Sequence, residues 1–265
     1  MGVPTPMLIQ WPDKFYHTSE DTLDKVDPAM LAATGGLATA YAYFIAAAGE
    51  AEARWLAREV VARGKAALAR LYQDSYTTAM EADSPHALAV IRQRAEKNLA
   101  FRADRTIAAL RSLGRLARNL DGVIEENTQA VRAAHEEEWR RLARDLGPEP
   151  MVSDAAPDEW TLRAEQLVLR RRFRGPISDG DLSGRLSPDD RALMRELRKA
   201  HPHTARVLPV YMIYWIDGRR SLREIADLVE CETGLRDVEL MVQMAGVLQR
   251  AGLLERSVTV RGDKG

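Results

Sequence analysis

The most informative part of the sequence is residues 7–28, which read Met-Leu-Ile-Gln-Trp-Pro-Asp-Lys-Phe-Tyr-His-Thr-Ser-Glu-Asp-Thr-Leu-Asp-Lys-Val-Asp-Pro. Its apolar run Met7–Trp11 predicts a short buried strand, followed by a turn at the next Pro and Asp. Asp27 and Pro28 are typical of a helix N-cap and first helical residue. His17 is therefore expected on a loop between a strand and a helix, which is a suitable place for a metal ligand. We expect the pairing partner of this strand to lie in a segment that precedes the chain.

The loop carries a spaced pattern: Tyr16-His17-Thr18, Asp21-Thr22, Asp24-Lys25-Val26 and a helix from Pro28. This pattern resembles the end of the catalytic domain of the di-zinc exopeptidases of the leucyl-aminopeptidase type, peptidase family twenty-eight. The resemblance implies that His17 is the last zinc ligand, supported by Asp21 and Thr22, with Tyr16 and Thr18 at the pocket. The alternative is an ordinary loop histidine that hydrogen-bonds a neighbouring carboxylate. The agreement of the whole spacing favours the ligand.

The resemblance also implies what else a complete site requires. In that family a zinc pair is held by two His and several carboxylates, and a further Glu acts as the general base. A catalytic zinc needs at least three protein ligands to fix its geometry. The sixteen residues before His17 supply one acidic side chain, Asp13. We therefore expect this chain alone to hold no zinc and to hydrolyse no peptides, and we assign it no catalytic residue.

The other histidines do not rebuild a metal site in the sequence. His135 precedes three Glu, but the second His of a zincin motif would stand at the position of Trp139. His201 and His203 flank a proline and are expected in a loop, and His86 lies near a helix start. We expect no metal ligand among them.

Composition predicts a mainly α chain. The 265 residues carry a formal net charge of −1 and a single cysteine, Cys231, which fits a reducing, cytoplasmic location. Leu31–Ala48 contains Thr, Gly and Tyr, and we interpret it as a helix packed on a sheet, with Gly35 and Gly36 allowing close approach. No apolar run is expected to reach the roughly 20 residues of a membrane span, so no membrane partner is predicted.

Four regions follow from these patterns. Residues 1–48 are interpreted as the remnant strand-loop-helix at the C-terminal edge of an α/β zinc-exopeptidase domain. Residues 49–147 show apolar positions at helical spacing in three segments, which predicts a helical hairpin or bundle. Residues 148–203 are rich in Pro and Gly and are interpreted as a linker. Within them, the basic cluster at 170–174 is interpreted as docking on acidic neighbours rather than as a nucleic-acid contact.

Residues 204–265 resemble a winged helix-turn-helix module. Ser221 and Glu224 predict a capping box before a helix over Leu222–Thr233, and Gly234 predicts its end. A second helix and a short strand over Leu253–Val260 are expected to follow. Between Thr204 and Arg256 there are 7 Arg against 8 Asp or Glu. Because DNA affinity depends on a surplus of cations, we predict no DNA-binding residues and a protein-docking role.

Two functions remain open from the sequence. The chain is either the C-terminal portion of a zinc-dependent aminopeptidase-like metallopeptidase, or a non-catalytic helical and winged-helix interaction or regulatory module. The partner expected in the first case is an upstream catalytic domain or another subunit, with a peptide substrate only in the complete protein. Strands are expected at Met7–Trp11 and otherwise only within the winged helix.

Overall fold

A computed structural model describes residues 6–9, 11–147, 157–175, 177 and 179–257, without the side chains of 179–181. The chain divides at residue 150 into an N-terminal unit (Pro4–Pro150) and a C-terminal unit (Met151–Gly265, with Met1–Val3). Within the described ranges, the N-terminal unit contains four α-helices: α1 (Pro28–Ala47), α2 (Glu50–Met80), α3 (Pro85–Ser112) and α4 (Asp121–Asp145). The prediction of a mainly α chain is confirmed.

The predicted strand at Met7–Trp11 is wrong for the part that is described. Residues 6–9 have no regular structure, and Gln10 lies outside the described residues. Met7 and Ile9 are 76% and 53% exposed. A strand is defined by hydrogen bonds to a neighbouring strand, and no described residue of this unit offers one. A short 3₁₀ turn at Leu23–Lys25 leads instead towards α1.

Helix α1 begins where the sequence predicts. The Asp27 carboxylate accepts hydrogen bonds from the backbone N–H of Ala29 (2.8 Å) and of Met30 (3.4 Å), and Pro28 is the first helical residue. These bonds satisfy two of the donors that a helix N-terminus leaves free.

The surroundings of α1 differ from the prediction. None of its 20 residues is buried, none is charged, and its mean hydropathy reaches 1.4. By length and composition it is the one helix in the described ranges that could cross a membrane. The expectation that no apolar run approaches this length is therefore wrong. The Thr, Gly and Tyr residues of α1 are uncharged, so they interrupt neither the helix nor its apolar character.

Helices α2, α3 and α4 pack on one another around a shared apolar core, which includes Leu68, Leu99, Leu110, Val131 and Leu142. Gly64 of α2 faces Thr106 of α3 closely. A Cβ added at Gly64 would lie 2.5 Å from the Thr106 Cγ2. Because Gly64 has no side chain, α2 and α3 can approach each other this closely.

The C-terminal unit contains six helices and two strands in its described part: α5 (Glu159–Glu165), β1 (Leu169–Arg171), α6 (Asp179–Arg185), α7 (Pro188–Ala200), α8 (Leu208–Trp215), α9 (Leu222–Thr233), α10 (Val238–Arg250) and β2 (Leu254–Arg256). They enclose a core whose most deeply buried members include Leu169, Leu208, Met212, Leu222, Ile225, Leu240 and Met241.

The linker prediction for 148–203 fails over the described residues from 157 onward. Ala164, Leu169 and Leu197 from this range are buried in the same core as the last three helices. One of the prolines that indicate a linker, Pro188, is instead the first residue of α7, behind the N-cap Ser187. Proline there costs no hydrogen bond, because the first helical N–H is free in any case.

Strand β1 pairs with β2 in antiparallel register, Leu169 opposite Arg256 and Arg171 opposite Leu254. Apart from Met7–Trp11, the sequence predicts strands only within 204–265, so β1 corrects that prediction. The partner of β2 comes from a segment before α7, which periodicity within a three-residue strand cannot indicate. The predicted strand residues beyond Ser257 lie outside the described residues.

The start and the end of α9 follow the local signals in the sequence. Ser221 Oγ accepts the Glu224 N–H, and the Glu224 carboxylate accepts the Ser221 N–H, which is the predicted capping box. Gly234 ends α9 in the left-handed conformation at φ 73°. The observed elements allow a winged helix-turn-helix, and that finer assignment stays a proposal.

Candidate metal site and candidate DNA-facing surface

His17 lies in an exposed turn of the N-terminal unit. Its backbone adopts φ 61°, which is uncommon for a residue with a side chain. Thr18 closes the turn, because its N–H and its Oγ1 both donate to the Phe15 carbonyl, at 3.0 and 2.6 Å. The left-handed backbone at His17 could not be foreseen from the sequence. Such strain is found at functional sites more often than elsewhere.

The imidazole of His17 stacks on the Tyr16 ring, with centroids 3.9 Å apart and an angle of 18° between the planes. The Trp11 ring contacts the Tyr16 ring edge-on, with the two ring centroids 5.9 Å apart. Both Tyr16 and His17 are exposed. The turn thus holds the imidazole by stacking, and it leaves the ring open to solvent and to a partner.

Asp21 and Thr22, the predicted supporting residues, lie next to this turn. The Asp21 N–H donates to the Thr18 carbonyl at 3.3 Å, and Thr22 Oγ1 donates to the Asp24 carboxylate. Asp21 lines a groove of about 750 Å³ that runs along the start of α1, whereas His17 is not among its lining residues. The predicted residues therefore lie in or next to one turn, but their side chains do not converge on a common point.

The donor set around His17 does not make a zinc site. Within the described ranges, no group of three or more His, Cys, Asp or Glu side chains is arranged to hold a metal ion. Zinc prefers four ligands in a structural site and three plus water in a catalytic one. The turn offers one imidazole, so no chemistry through zinc can be derived from these residues.

His135 contributes no metal site either. Its Nε2 is buried and has no hydrogen-bond partner among the described residues. It lies beside a surface groove of about 380 Å³ between α3 and α4, with Asp104, Arg111 and Arg132 at the edges. This is one imidazole beside one carboxylate, so the groove lacks the ligand number that zinc requires.

The C-terminal unit contains a polar cluster that no sequence pattern predicts. His201 Nδ1 and Thr204 Oγ1 both lie 2.7 Å from the same Asp237 oxygen, and the other Asp237 oxygen caps α10 through the Leu240 N–H at 3.0 Å. Since Thr204 Oγ1 and His201 Nδ1 share one acceptor and no hydrogen bond joins these two side chains, the cluster has no nucleophile-to-base relay. It ties the turn after α7 to the start of α10.

Arg236 and Arg250 lie on the surface that would face DNA in a winged helix, and both are paired with carboxylates. Arg236 pairs with Asp227 and with Glu230 (3.1 Å), and Arg250 binds the buried Asp190 at 2.8 and 2.6 Å. Burial lowers the pKa of Arg236, but its two carboxylate partners outweigh this and the pKa is raised overall. These guanidiniums are engaged with carboxylates of the same unit.

Helix α10 also lacks an exposed polar face that could contact DNA bases. Leu240, Met241, Met244, Ala245, Val247 and Leu248 are buried. Gln243, one of its two amides, donates to Glu239 at 2.9 Å. In the basic cluster ahead of α6, Arg170 contacts Glu255 of β2 at 2.7 Å and Arg172 contacts it at 3.8 Å. Base readout needs exposed polar side chains and cationic support, so this geometry favours packing within the unit.

No protein-family model, curated protein or solved structure matches the chain.

Proposed function

We propose that this chain is the C-terminal portion of a zinc-dependent aminopeptidase-like hydrolase, with peptide-bond hydrolysis performed by the complete protein. The observation that carries the proposal is α1. A capped, charge-free helix of 20 residues follows the His17 turn after the short 3₁₀ turn at Leu23–Lys25, and none of its residues is buried. A helix with this surface requires an apolar partner.

The partner that we propose for α1 is the sheet of an upstream catalytic domain. In α/β domains, helices cover the faces of the sheet and bury their apolar side chains there. Gly35 and Gly36 have open space around the position of a Cβ, so another element could approach the backbone closely there. Large side chains such as Leu31 (63% exposed) and Leu37 (60% exposed) would supply the buried apolar area.

In the complete protein, His17 would be one zinc ligand and the upstream domain would supply the others. The stacking of Tyr16 on His17 limits rotation of the imidazole, which is the role of outer partners around a metal ligand. Asp21 would face the groove beside α1 rather than the metal. The ligand role of His17 rests on the resemblance of the turn to the exopeptidase pattern.

The genomic sequence upstream of Met1 provides the first test. We expect an in-frame continuation that encodes the missing His, Asp and Glu ligands. The second test uses the protein purified from its host, with zinc content measured by mass spectrometry and turnover of amino-acid anilides. The substitution His17→Ala should lower both, with activity falling by about a hundredfold or more. His86→Ala, on the exposed surface of α3, is the matched control and should change neither.

Three outcomes would contradict the proposal. One is a native protein that begins at Met1 and contains no zinc. Another is robust anilide turnover by residues 1–265 alone that His17→Ala abolishes, because one ligand cannot hold a zinc pair. The third is release of the native protein from membranes only by detergent, which would assign α1 to a bilayer instead of a sheet.

The second candidate function is a non-catalytic interaction or regulatory module. It is favoured by the C-terminal unit, which has its own core and leaves Val210 (50%) and Tyr214 (58%) exposed on α8. A genuine translation start at Met1 would favour this function, since the chain would then act without an upstream domain.

A further inference from the structure

The C-terminal unit contains an apolar cavity that the proposed function does not use. Its volume is about 420 Å³, and it opens to solvent between α7, α8 and α10. Its wall includes Leu182, Met194, Ile213, Met244 and Leu248. Sites for small ligands have volumes of about 300–1,000 Å³, mostly apolar walls and a few polar groups that orient the ligand. The cavity has the size and the lining of such a site.

Two arginines stand at this cavity, Arg198 at the end of α7 and Arg206 ahead of α8. Both are exposed, and neither makes an ion pair with a carboxylate in the described part of the chain. Two other arginines of this unit are paired, Arg250 with Asp190 and Arg223 with Glu165. A cation at the end of α7 also suits the helix dipole, but the dipole accounts for neither Arg206 nor the apolar wall beside it.

An apolar wall with guanidiniums at its edge fits one kind of ligand, an aliphatic chain that ends in an anion. Arginine binds carboxylates through two parallel hydrogen bonds, and such charge-assisted bonds are stronger than neutral ones. The alkyl chain would cover the side chains of Val210 and Tyr214, which are half exposed at the cavity edge.

We propose that this cavity binds an unbranched aliphatic carboxylate, with the carboxylate at Arg198 and Arg206 and the alkyl chain along Met194, Ile213 and Met244. The site lies wholly within the C-terminal unit, so it does not depend on the His17 turn or on an upstream domain. Free fatty acids and acyl groups that end in a carboxylate share this chemistry.

The test is a titration of the full chain with octanoate, decanoate and dodecanoate below their micelle concentrations, followed by calorimetry. If each added methylene is buried, the dissociation constant should fall about fourfold per methylene. The neutral analogue 1-dodecanol should bind about tenfold more weakly than dodecanoate, because it lacks the charge-assisted bonds. Methyl-labelled methionines report the location: the Met194 and Met244 signals should shift, while Met80, in the other unit, should not.

The variants separate charge from fold. The double substitution Arg198→Gln and Arg206→Gln should reduce dodecanoate affinity about tenfold and leave 1-dodecanol binding unchanged. Arg195→Gln, on the same helix but outside the cavity, is the matched control and should bind as the unaltered chain does. Equal binding of alcohol and carboxylate, no dependence on chain length, or an equal loss in the control would each overturn the proposal.

Discussion

The close approach of α2 and α3 allows a quantitative prediction at Gly64. In a helix interior, Gly→Ala ordinarily stabilises by about 1 kcal/mol. At Gly64 the new Cβ would lie 2.5 Å from Thr106 Cγ2 and 3.0 Å from its Oγ1, whereas carbon atoms prefer about 3.5–4.0 Å. Overpacking of this kind costs about 1–3 kcal/mol, and the β-branched threonine has little rotamer freedom to yield.

Gly64→Ala should therefore destabilise the N-terminal unit by about 1 kcal/mol, the difference between these two effects. Thr106→Ala in the same chain removes the two closest atoms and leaves Cβ against Cβ at 3.3 Å. The double variant should be more stable than Gly64→Ala alone, with a coupling free energy of about 1–3 kcal/mol. Gly122→Ala, in α4 with nothing within 4 Å of the added Cβ, is the matched control and should be neutral or stabilising.

Native-state hydrogen exchange read by mass spectrometry suits this experiment, because peptides from the two units report separately. Exchange should accelerate in α2 and α3 and stay constant in α9 and α10. The reasoning is refuted if Gly64→Ala stabilises the bundle as Gly122→Ala does, or if Thr106→Ala fails to reverse the loss.

Two further predictions concern charge. The pKa of Asp145 is held below its ordinary value of 3.8, first by the hydrogen bond from Tyr72 (2.5 Å) and then by that from Arg144. The ionised Asp145 therefore stabilises the folded unit at pH values above 3.8. This stabilisation is lost as the pH falls through the lowered pKa. Tyr72→Phe should therefore flatten the acid-side decline in the unfolding free energy of the N-terminal unit, measured by hydrogen exchange across a pH series, and an unchanged decline would count against the bond. The second prediction is that the full chain does not bind mixed duplex DNA in mobility-shift titrations at low salt; sub-micromolar, salt-sensitive binding would show that the ion-paired arginines become available to phosphates.

The features that the sequence predicted correctly are those determined within a few residues. The cap at Asp27, the box of Ser221 and Glu224 and the end of α9 at Gly234 each depend on neighbours in the same turn of chain. The three bundle helices were also predictable, because an apolar stripe at helical spacing over more than twenty residues has few other interpretations.

The missed features depend on partners distant in sequence. Strand β1 is three residues long and is defined by β2, and Asp237 binds a histidine 36 positions earlier. Proline occurs both in linkers and at helix starts, so Pro188 alone does not distinguish the two. The Ser187 cap and the buried face of α7 identify a helix start there. The candidate site was foreseen as a turn around His17, but its backbone conformation and its stacking on Tyr16 were not.

The pairing of β1 with β2 has a consequence for the order of folding during synthesis. The contacts of α2, α3 and α4 are complete once residue 146 has left the ribosome, so this bundle can form while the rest is still being made. Strand β1 must wait, because its only described partner strand is encoded at residues 254–256. During that interval the apolar side of Leu169 is uncovered. Helix α1 is exposed in either case. A nascent chain stalled shortly before residue 254 should therefore bind chaperones more strongly than one stalled soon after the bundle.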